Sequence, residues 1–239
     1  MLKPFFMRYG TKWALAKQYG PPRYDHSIEP FAGGAGYSCY FEPPKVTLIE
    51  KDQEIVELWE YLKRVSAAEI MRLPTNIFHI DELPSWVPAP AITLIGLWFS
   101  RNPARPASHR TSWAKNPNRQ FQYWSETIKH RIASQVPRIR DWTIIHGSYE
   151  QAPNIEAHWF IDPPYSSAAG RAYRCNEIDY KALAKWCKNR PGFVQVCEAW
   201  GATWLPFDPL KAVKTHWARG SLIEAIYEID NRTRRRSGG

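Results

Sequence analysis

The sequence predicts an α/β fold in which a mostly parallel sheet carries helices on both faces. Short apolar strands alternate with segments of helical periodicity over much of the chain. Two turns follow directly on apolar strands, a glycine-rich turn at 31–36 and a proline-rich turn at 162–165. Because ligands bind beyond the carboxyl ends of the strands in such sheets, we expect the functional residues in these two turns.

The N-terminal third reads as a helix followed by a β-α-β-α sequence. The predicted elements are a helix over 13–19, a strand over 27–31, a helix starting at 37–41, a strand over 46–49 and a helix from 55. Gly20-Pro21-Pro22 ends the first helix, because proline has no amide hydrogen and disfavours helix in the residue before it. The second strand ends on Glu50 and Asp52.

The alternation resumes in the C-terminal part of the chain. The predicted elements there are strands over 142–146, 158–162, 192–197 and 222–227 and a helix over 180–188. The last eight residues, 232–239, are basic and predicted to be mobile.

Composition favours a soluble, cytoplasmic protein with a polyanionic partner. The 239 residues include 32 Lys and Arg against 23 Asp and Glu, a net charge of +9. No apolar run is long enough to span a membrane, and the N-terminus does not resemble a signal peptide. The four cysteines are scattered without ligand spacing, so we expect neither a metal site nor disulfides. No obligate protein partner is evident.

Most of the positive charge lies in one segment. Between Trp98 and Arg140 there are nine basic residues and one acid, an excess of +8. The candidates for contacts with nucleic acid are Arg101, Arg105, Arg110, Lys115 and Arg119, with Trp98, Trp113, Tyr123 and Trp124 for stacking. The alternative is a solvated basic face over a small aromatic core.

The glycine turn points to a nucleoside-containing cofactor. Its backbone amides can approach a ligand closely, and an acid at the end of the next strand, Glu50, can accept hydrogen bonds from ribose hydroxyls. A dinucleotide cofactor is disfavoured, because Gly34-Ala35-Gly36-Tyr37-Ser38-Cys39 has Cys where Gly-x-Gly-x-x-Gly needs its third glycine. A tight structural turn beside a solvated acid is the alternative.

The sequence Asp162-Pro163-Pro164-Tyr165 is more specific. Two prolines stiffen the backbone and leave carbonyl oxygens free to accept hydrogen bonds. An acid, a rigid carbonyl and an aromatic face suit a planar base with an exocyclic amine, with Tyr165 stacking on the ring while Asp162 and the Pro163 carbonyl accept the amino hydrogens. A proline-stiffened turn capped by Asp162 is the alternative.

Together these motifs resemble the Dam-like, alpha-group DNA adenine-N6 methyltransferases. The resemblance rests on Tyr9-Gly10-Thr11-Lys12, Glu29-Pro30-Phe31-Ala32-Gly33-Gly34-Ala35-Gly36, Leu48-Ile49-Glu50-Lys51-Asp52 and Asp162-Pro163-Pro164-Tyr165. It implies a Rossmann-like S-adenosylmethionine-dependent methyltransferase fold with an inserted target-recognition region. It also implies methyl transfer from S-adenosylmethionine to N6 of a flipped-out adenine in double-stranded DNA, with S-adenosylhomocysteine as product and no metal.

The resemblance also implies roles for individual residues. Lys12 would hold the methionine carboxylate of the cofactor, and Glu50 would accept hydrogen bonds from its ribose hydroxyls. The turn that contains Phe31, Gly33 and Gly36 would pass under the cofactor. Ser148 and Tyr149 would flank the adenine of the cofactor, and Asp162 would lie between the cofactor and the target base. The first motif is one residue shorter than the family pattern, which leaves Arg8 or Tyr9 to contact the cofactor. The middle segment lacks the Asn-Gly-Leu and Phe-Asn-Val-Pro patterns of GATC-specific members, so the resemblance does not imply GATC as the recognised sequence.

The same resemblance divides the chain and leaves alternatives. Residues 1–83 and 141–231 would form the catalytic domain, 84–140 the target-recognition region and 232–239 a flexible tail. The runner-up activity is N4 methylation of cytosine, and a different class is a catalytically silent DNA-binding protein of the same fold. The compact chain has no obvious endonuclease segment, which suggests a methyltransferase that acts without a restriction enzyme. A phage is one source of such an enzyme.

Overall fold

A computed structural model describes residues 1–101, 103–112, 115–116, 118, 123–210 and 223–232, with only the backbone given at 168–169. Its helices are α1 (Ala16–Tyr19), α2 (Gly36–Phe41), α3 (Gln53–Arg64), α4 (Ala67–Arg72), α5 (Ala89–Leu97), α6 (Glu126–Gln135) and α7 (Tyr180–Lys188). Its strands are β1 (His26–Glu29), β2 (Lys45–Glu50), β3 (Thr143–His146), β4 (Ala157–Ile161), β5 (Gly192–Ala199), β6 (Asp208–Pro209) and β7 (Glu224–Asn231). Within the described residues, no helix has the length and apolar character needed to cross a bilayer.

The strands form a single seven-stranded sheet in the order β3-β2-β1-β4-β5-β7-β6. Strands β1 to β5 pair in parallel, whereas β7 runs antiparallel between β5 and β6. This is the Rossmann-like fold with a mostly parallel sheet that the sequence predicts. The reversed direction of β7 places its first residue, Glu224, opposite Ala199, the last residue of β5. The start of β7 therefore shares an edge with the carboxyl ends of the parallel strands.

Helices cover both faces of the sheet. Successive side chains of a strand point to opposite faces, and on β2 the buried Leu48 joins the core under α3, whereas Ile49 joins the core under α7. Neighbouring residues on β4 divide in the same way, because Trp159 packs in the α7 core and Phe160 packs with α1 and α2. The expected layers are thus confirmed.

The basic middle segment is built into the main core. Helices α5 and α6 contribute buried residues such as Ile95 and Ile128 to the same cluster as α3, so the boundary predicted at residue 84 does not coincide with a break in packing. Trp98 and Trp124 are fully buried, and their indole N–H groups donate to the carbonyls of Phe5 and Pro74. The prediction that these two residues stack on nucleic acid is therefore wrong. Trp113 lies outside the described residues.

The helix predicted over 13–19 is divided into two short pieces. A single 3-10 turn spans Lys12–Ala14, and α1 begins only at Ala16. The two pieces pack against α2, with Trp13 donating its indole N–H to the carbonyl of Leu2 at 2.7 Å. This turn places Lys12 beside the glycine-rich turn at 31–36.

Candidate active site

The glycine turn is fastened to the end of β2 by Glu50. One carboxylate oxygen of Glu50 accepts from the amide of Gly33 at 2.8 Å, and the other accepts from the amide of Asp52 at 2.9 Å. Gly33 adopts a φ of +46°, a left-handed conformation that glycine reaches at low cost. The indole of Trp59 on α3 donates to the Gly33 carbonyl at 2.9 Å. The turn is therefore held from both sides in a fixed shape.

A cleft opens at the carboxyl edge of the sheet, with about 660 Å³ of empty space that is continuous with solvent. Eight residues predicted from the sequence line it, namely Arg8, Phe31, Gly33, Glu50, Ser148, Tyr149, Asp162 and Pro164. The rings of Phe31 and Tyr149 stack at 5.6 Å and 30° on one wall. The sequence did not indicate Tyr173, Cys175, Glu177 and Ile178, which form part of the lining from the segment before α7.

Arg8 and Tyr9 lie in different parts of the site. Arg8 is buried in the cleft wall with one guanidinium nitrogen 3.4 Å from Asp52, and its Nε has no hydrogen-bond partner in the part of the chain that the structure describes. Tyr9 lines a smaller depression together with Lys12, and its ring contacts that of Tyr173 at 5.7 Å. Of the two alternatives left by the short first motif, Arg8 is the residue that reaches the cleft.

The buried Lys12 and the partly exposed Asp162 form an ion pair where the cleft and the smaller depression meet. The Lys12 ammonium lies 2.8 Å from Oδ1 of Asp162 and also donates to the Gly10 carbonyl at 3.2 Å. Burial raises the pKa of Asp162 to about 6, although the Lys12 ammonium opposes this change. For Lys12, burial alone would lower the pKa, but the carboxylates of Asp162 and Glu224 outweigh it and leave the pKa above its usual value.

The ring of Tyr165 forms the next part of the site. Its centroid lies 4.8 Å from the Lys12 ammonium, so ring, ammonium and the Asp162 carboxylate are close together. The proline turn before it is held by Tyr180 of α7, whose hydroxyl donates to the Pro164 carbonyl at 2.7 Å. Pro163 and Pro164 are both buried, which fits the stiff turn that the sequence predicts.

Gly36 acts through packing at the start of α2. A Cβ atom at this position would lie 2.5 Å from the amide nitrogen of Trp13 and 2.9 Å from that of Lys12. Both neighbours are backbone atoms, so only glycine permits this approach. Gly36 lines the smaller depression and lets the turn that carries Lys12 pack against α2.

Glu29 is a site residue whose environment could not be read from the sequence. It ends β1, is 3% exposed, and accepts a hydrogen bond from the amide of Ser38 in α2 at 2.8 Å. Burial raises the pKa of Glu29 to about 7 against the opposing hydrogen bonds from Ser38. Glu29 lines the smaller depression below the glycine turn.

The candidate contacts with nucleic acid separate into two groups. Arg101, Arg105 and Lys115 are exposed. Arg110 is 7% exposed, and one guanidinium nitrogen donates to the carbonyls of Thr75 and Trp124 at 2.5 and 3.2 Å. Arg110 therefore ties loops of the core together and is not available to a phosphate, which corrects the prediction for this residue. Arg119 lies outside the described residues.

The described residues contain no metal-binding cluster, that is, no group of three or more His, Cys, Asp or Glu side chains placed to hold a metal ion. The four cysteines are free thiols.

Comparisons with known proteins give a weak likeness at the level of the whole chain. No protein-family model matches the sequence, and no curated protein matches it. A solved structure described as a conserved hypothetical protein from Streptococcus pyogenes is 11% identical with a TM-score of 0.41, covering 92% of this chain and 95% of that one. A protein from Escherichia coli described as "Putative methyltransferase yhhF" is 8% identical with a TM-score of 0.38, covering 87% of this chain and 76% of that one. A protein from Haemophilus influenzae described as "putative methylase HI0767" is 14% identical with a TM-score of 0.37, covering 87% and 79%.

Proposed function

We propose that this protein is an S-adenosylmethionine-dependent methyltransferase that modifies N6 of an adenine flipped out of double-stranded DNA. The observation that carries the proposal is the placement of the Asp162 carboxylate and the Tyr165 ring beside a cleft whose wall includes Glu50 and the glycine turn. An acceptor next to an aromatic face suits a planar base with an amino group. A cleft beside it suits the methyl donor.

The residues of the cleft fit S-adenosylmethionine. Arg8 is a cation in the cleft wall, and among the described residues its buried Nε has no hydrogen-bond partner, which suits the methionine carboxylate. Glu50 ends β2 with its carboxylate on the cleft, where it can accept from ribose hydroxyls. Phe31 and Tyr149 offer an aromatic wall for the purine. Lys12, already paired with Asp162, can add a second cation for the carboxylate.

The chain's own residues orient the amine and accept its hydrogen bonds. Asp162 and the Pro163 carbonyl accept the two amino hydrogens of the base, which draws the nitrogen lone pair out of ring conjugation and directs it at the methyl group. Tyr165 holds the base by stacking. S-adenosylmethionine would supply an electrophilic methyl group and leave as S-adenosylhomocysteine, and the methylated nitrogen would release one proton to solvent. Catalysis then rests on positioning and electrostatics, with no covalent enzyme intermediate.

The exposed basic residues of the middle segment support a nucleic-acid substrate. Arg101, Arg105 and Lys115 are accessible and belong to the stretch that carries the +8 excess. Lys and Arg side chains that neutralise phosphates supply most of the sequence-independent affinity for DNA. Extruding the base costs a few kcal/mol of unstacking, which such contacts can offset.

The proposal is tested by the identity of the methylated nucleoside. Purified protein is incubated with labelled S-adenosylmethionine and mixed-sequence duplex DNA, and the digested DNA is analysed by mass spectrometry. We expect N6-methyladenine, and none from the Asp162→Ala variant. N4-methylcytosine would instead establish the runner-up activity. Tight binding of DNA without methyl transfer, and without binding of S-adenosylmethionine, would establish a silent DNA-binding protein.

A further inference from the structure

A carboxylate from the antiparallel strand reaches the proposed base site. Glu224 is the first residue of β7, and the reversal of this strand brings it to the edge where Asp162 follows β4. It is 6% exposed and acts on Lys12 and Asp162 electrostatically, raising the pKa of each. Nothing in the sequence motifs points to this residue.

Glu224 holds the hydroxyl group of Tyr165. The Tyr165 hydroxyl donates to Oε2 of Glu224 at 2.5 Å, and the Tyr19 hydroxyl donates to the same oxygen at 3.3 Å. Two phenols, the buried Tyr19 and the partly buried Tyr165, thus converge on one carboxylate oxygen. Tyr19 packs edge-on against Phe160 at 5.2 Å, inside the core.

A second carboxylate fixes the residue after Tyr165. Glu198 on β5 is fully buried and accepts from the amide of Ser166 at 3.0 Å and from the indole of Trp204 at 2.9 Å. The proline turn is therefore attached to β7 through a side chain and to β5 through its backbone. The attachment through Glu224 is the one that acts on the aromatic ring itself.

We propose that Glu224 is a positioning residue that locks the ring of Tyr165 in the orientation needed to stack on the flipped base. The proposal rests on the proposed function. A hydroxyl fixed at the far end of the ring restricts rotation about both side-chain torsions, so the ring face is presented before the base arrives. The conformational entropy of the ring is then lost on folding, so ordering the ring does not weaken binding of the base.

The ring can be observed without any assay of activity. The full-length protein is labelled with 3-fluorotyrosine, and the Tyr165 resonance is assigned with Tyr165→Phe. We expect Glu224→Ala to shift or broaden this resonance through loss of the anchor, while Glu224→Gln, which retains an acceptor oxygen, restores a narrow line. An unchanged Tyr165 resonance in Glu224→Ala would overturn the proposal, whether or not the protein methylates DNA.

Kinetics connect the anchor to the reaction. Tyr165→Phe keeps the ring and removes the hydroxyl, and we expect kcat to fall roughly 10- to 50-fold with little change in the affinity for S-adenosylmethionine. Glu224→Ala should cause a similar loss, and the double variant should be no worse than either single variant, since both remove the same hydrogen bond between Tyr165 and Glu224. Tyr19→Phe removes the other bond to the same oxygen and should keep kcat within about threefold of the wild type.

These outcomes separate the two proposals. Equal decreases in kcat in Tyr19→Phe and Tyr165→Phe would mean that Glu224 only stabilises the fold and would overturn its positioning role. The same conclusion would follow if the decrease in the double variant Tyr165→Phe/Glu224→Ala equalled the product of the two single decreases. A wild-type protein that methylates no nucleic acid would contradict the proposed function, while the fluorine spectra would still decide whether Glu224 anchors Tyr165. Thermal unfolding of each variant shows whether the fold is intact.

Discussion

The ammonium of Lys12 lies 2.8 Å from the Asp162 carboxylate, and this contact joins the turn before α1 to the loop after β4. The two residues are far apart in the sequence, and each comes from a different motif. An amino group that binds Asp162 must share this carboxylate with Lys12 or displace it. The protonation state of Asp162 and the position of Lys12 are therefore coupled.

The pH dependence of methyl transfer should report this pair. Asp162 accepts the amino hydrogens most strongly as a carboxylate, because a protonated carboxyl group is a weaker acceptor and also carries a donor, and burial raises its pKa to about 6. We expect kcat/KM for DNA, at saturating S-adenosylmethionine, to fall about tenfold per pH unit below that value. Because the Lys12 ammonium lowers the pKa of Asp162, Lys12→Met should move the acidic limb to higher pH. Lys17→Met, at an exposed position, serves as the matched control. An acidic limb that stays in place in Lys12→Met would contradict the coupling.

Glu50 should be the strongest single determinant of cofactor affinity. It holds the Gly33 amide and faces the cleft, so Glu50→Ala removes both a ligand for the ribose and the fastening of the glycine turn. Hydrogen bonds to charged groups contribute about 1.5–3 kcal/mol each, so calorimetric titration with S-adenosylhomocysteine should show at least a tenfold weaker affinity. Glu57→Ala, on the exposed side of α3, should bind as the wild type does. Unchanged affinity in Glu50→Ala would show that the cofactor lies elsewhere.

Gly36 should be intolerant of a methyl group. Alanine here would push against the backbone nitrogens of Trp13 and Lys12, which are fixed in the turn. We expect Gly36→Ala to lower the free energy of unfolding by about 1–3 kcal/mol and to weaken methyl transfer by displacing Lys12. Gly34→Ala meets the side chain of Thr11 instead, so its loss in denaturant unfolding should be smaller. Equal stability of Gly36→Ala and the wild type would refute this account of the contact.

Substitution of Arg110 should affect stability, whereas substitution of Arg101 should affect DNA binding. Arg110→Ala leaves the carbonyls of Thr75 and Trp124 without this donor. We expect the free energy of unfolding to decrease by about 1–3 kcal/mol for each carbonyl that loses its hydrogen bond. Arg101 is exposed, so Arg101→Ala should change the free energy of unfolding by no more than about 0.5 kcal/mol. The same variant should bind DNA more weakly, and the slope of the logarithm of affinity against the logarithm of salt concentration should decrease by about one. Denaturant titration and DNA binding at several salt concentrations measure both effects. Normal stability of Arg110→Ala would restore this residue as a candidate DNA contact.

The strongly patterned parts of the sequence were sufficient to predict the fold. The helix over 180–188 is found at Tyr180–Lys188, where amphipathic spacing and the Asp179 cap agree. Strands β1 to β5 were recognised because β-branched and aromatic runs end at glycine, proline or acidic residues. Strand β7 was recognised but not its antiparallel direction or its extent to Asn231, because local periodicity carries no information on strand direction.

The middle segment was harder to interpret for a physical reason. High charge and scattered prolines hid α5 and α6, whose apolar residues are used to fill a core shared with distant parts of the chain. Arg110 reads as a surface cation in the sequence, but the carbonyls it binds come from residues 75 and 124. In the same way, Glu224 becomes a site residue only through the reversal of β7.

Asp162→Ala tests the central claim most directly when two quantities are measured on the same protein. S-adenosylhomocysteine affinity is determined by calorimetry, and single-turnover methyl transfer to duplex DNA is followed with labelled S-adenosylmethionine. We expect transfer to fall by a factor on the order of 10³ or more while the cofactor affinity stays within about tenfold of the wild type, because Asp162 acts on the amine in the transition state. Transfer that survives at a rate near that of the wild type would contradict the assignment of this site.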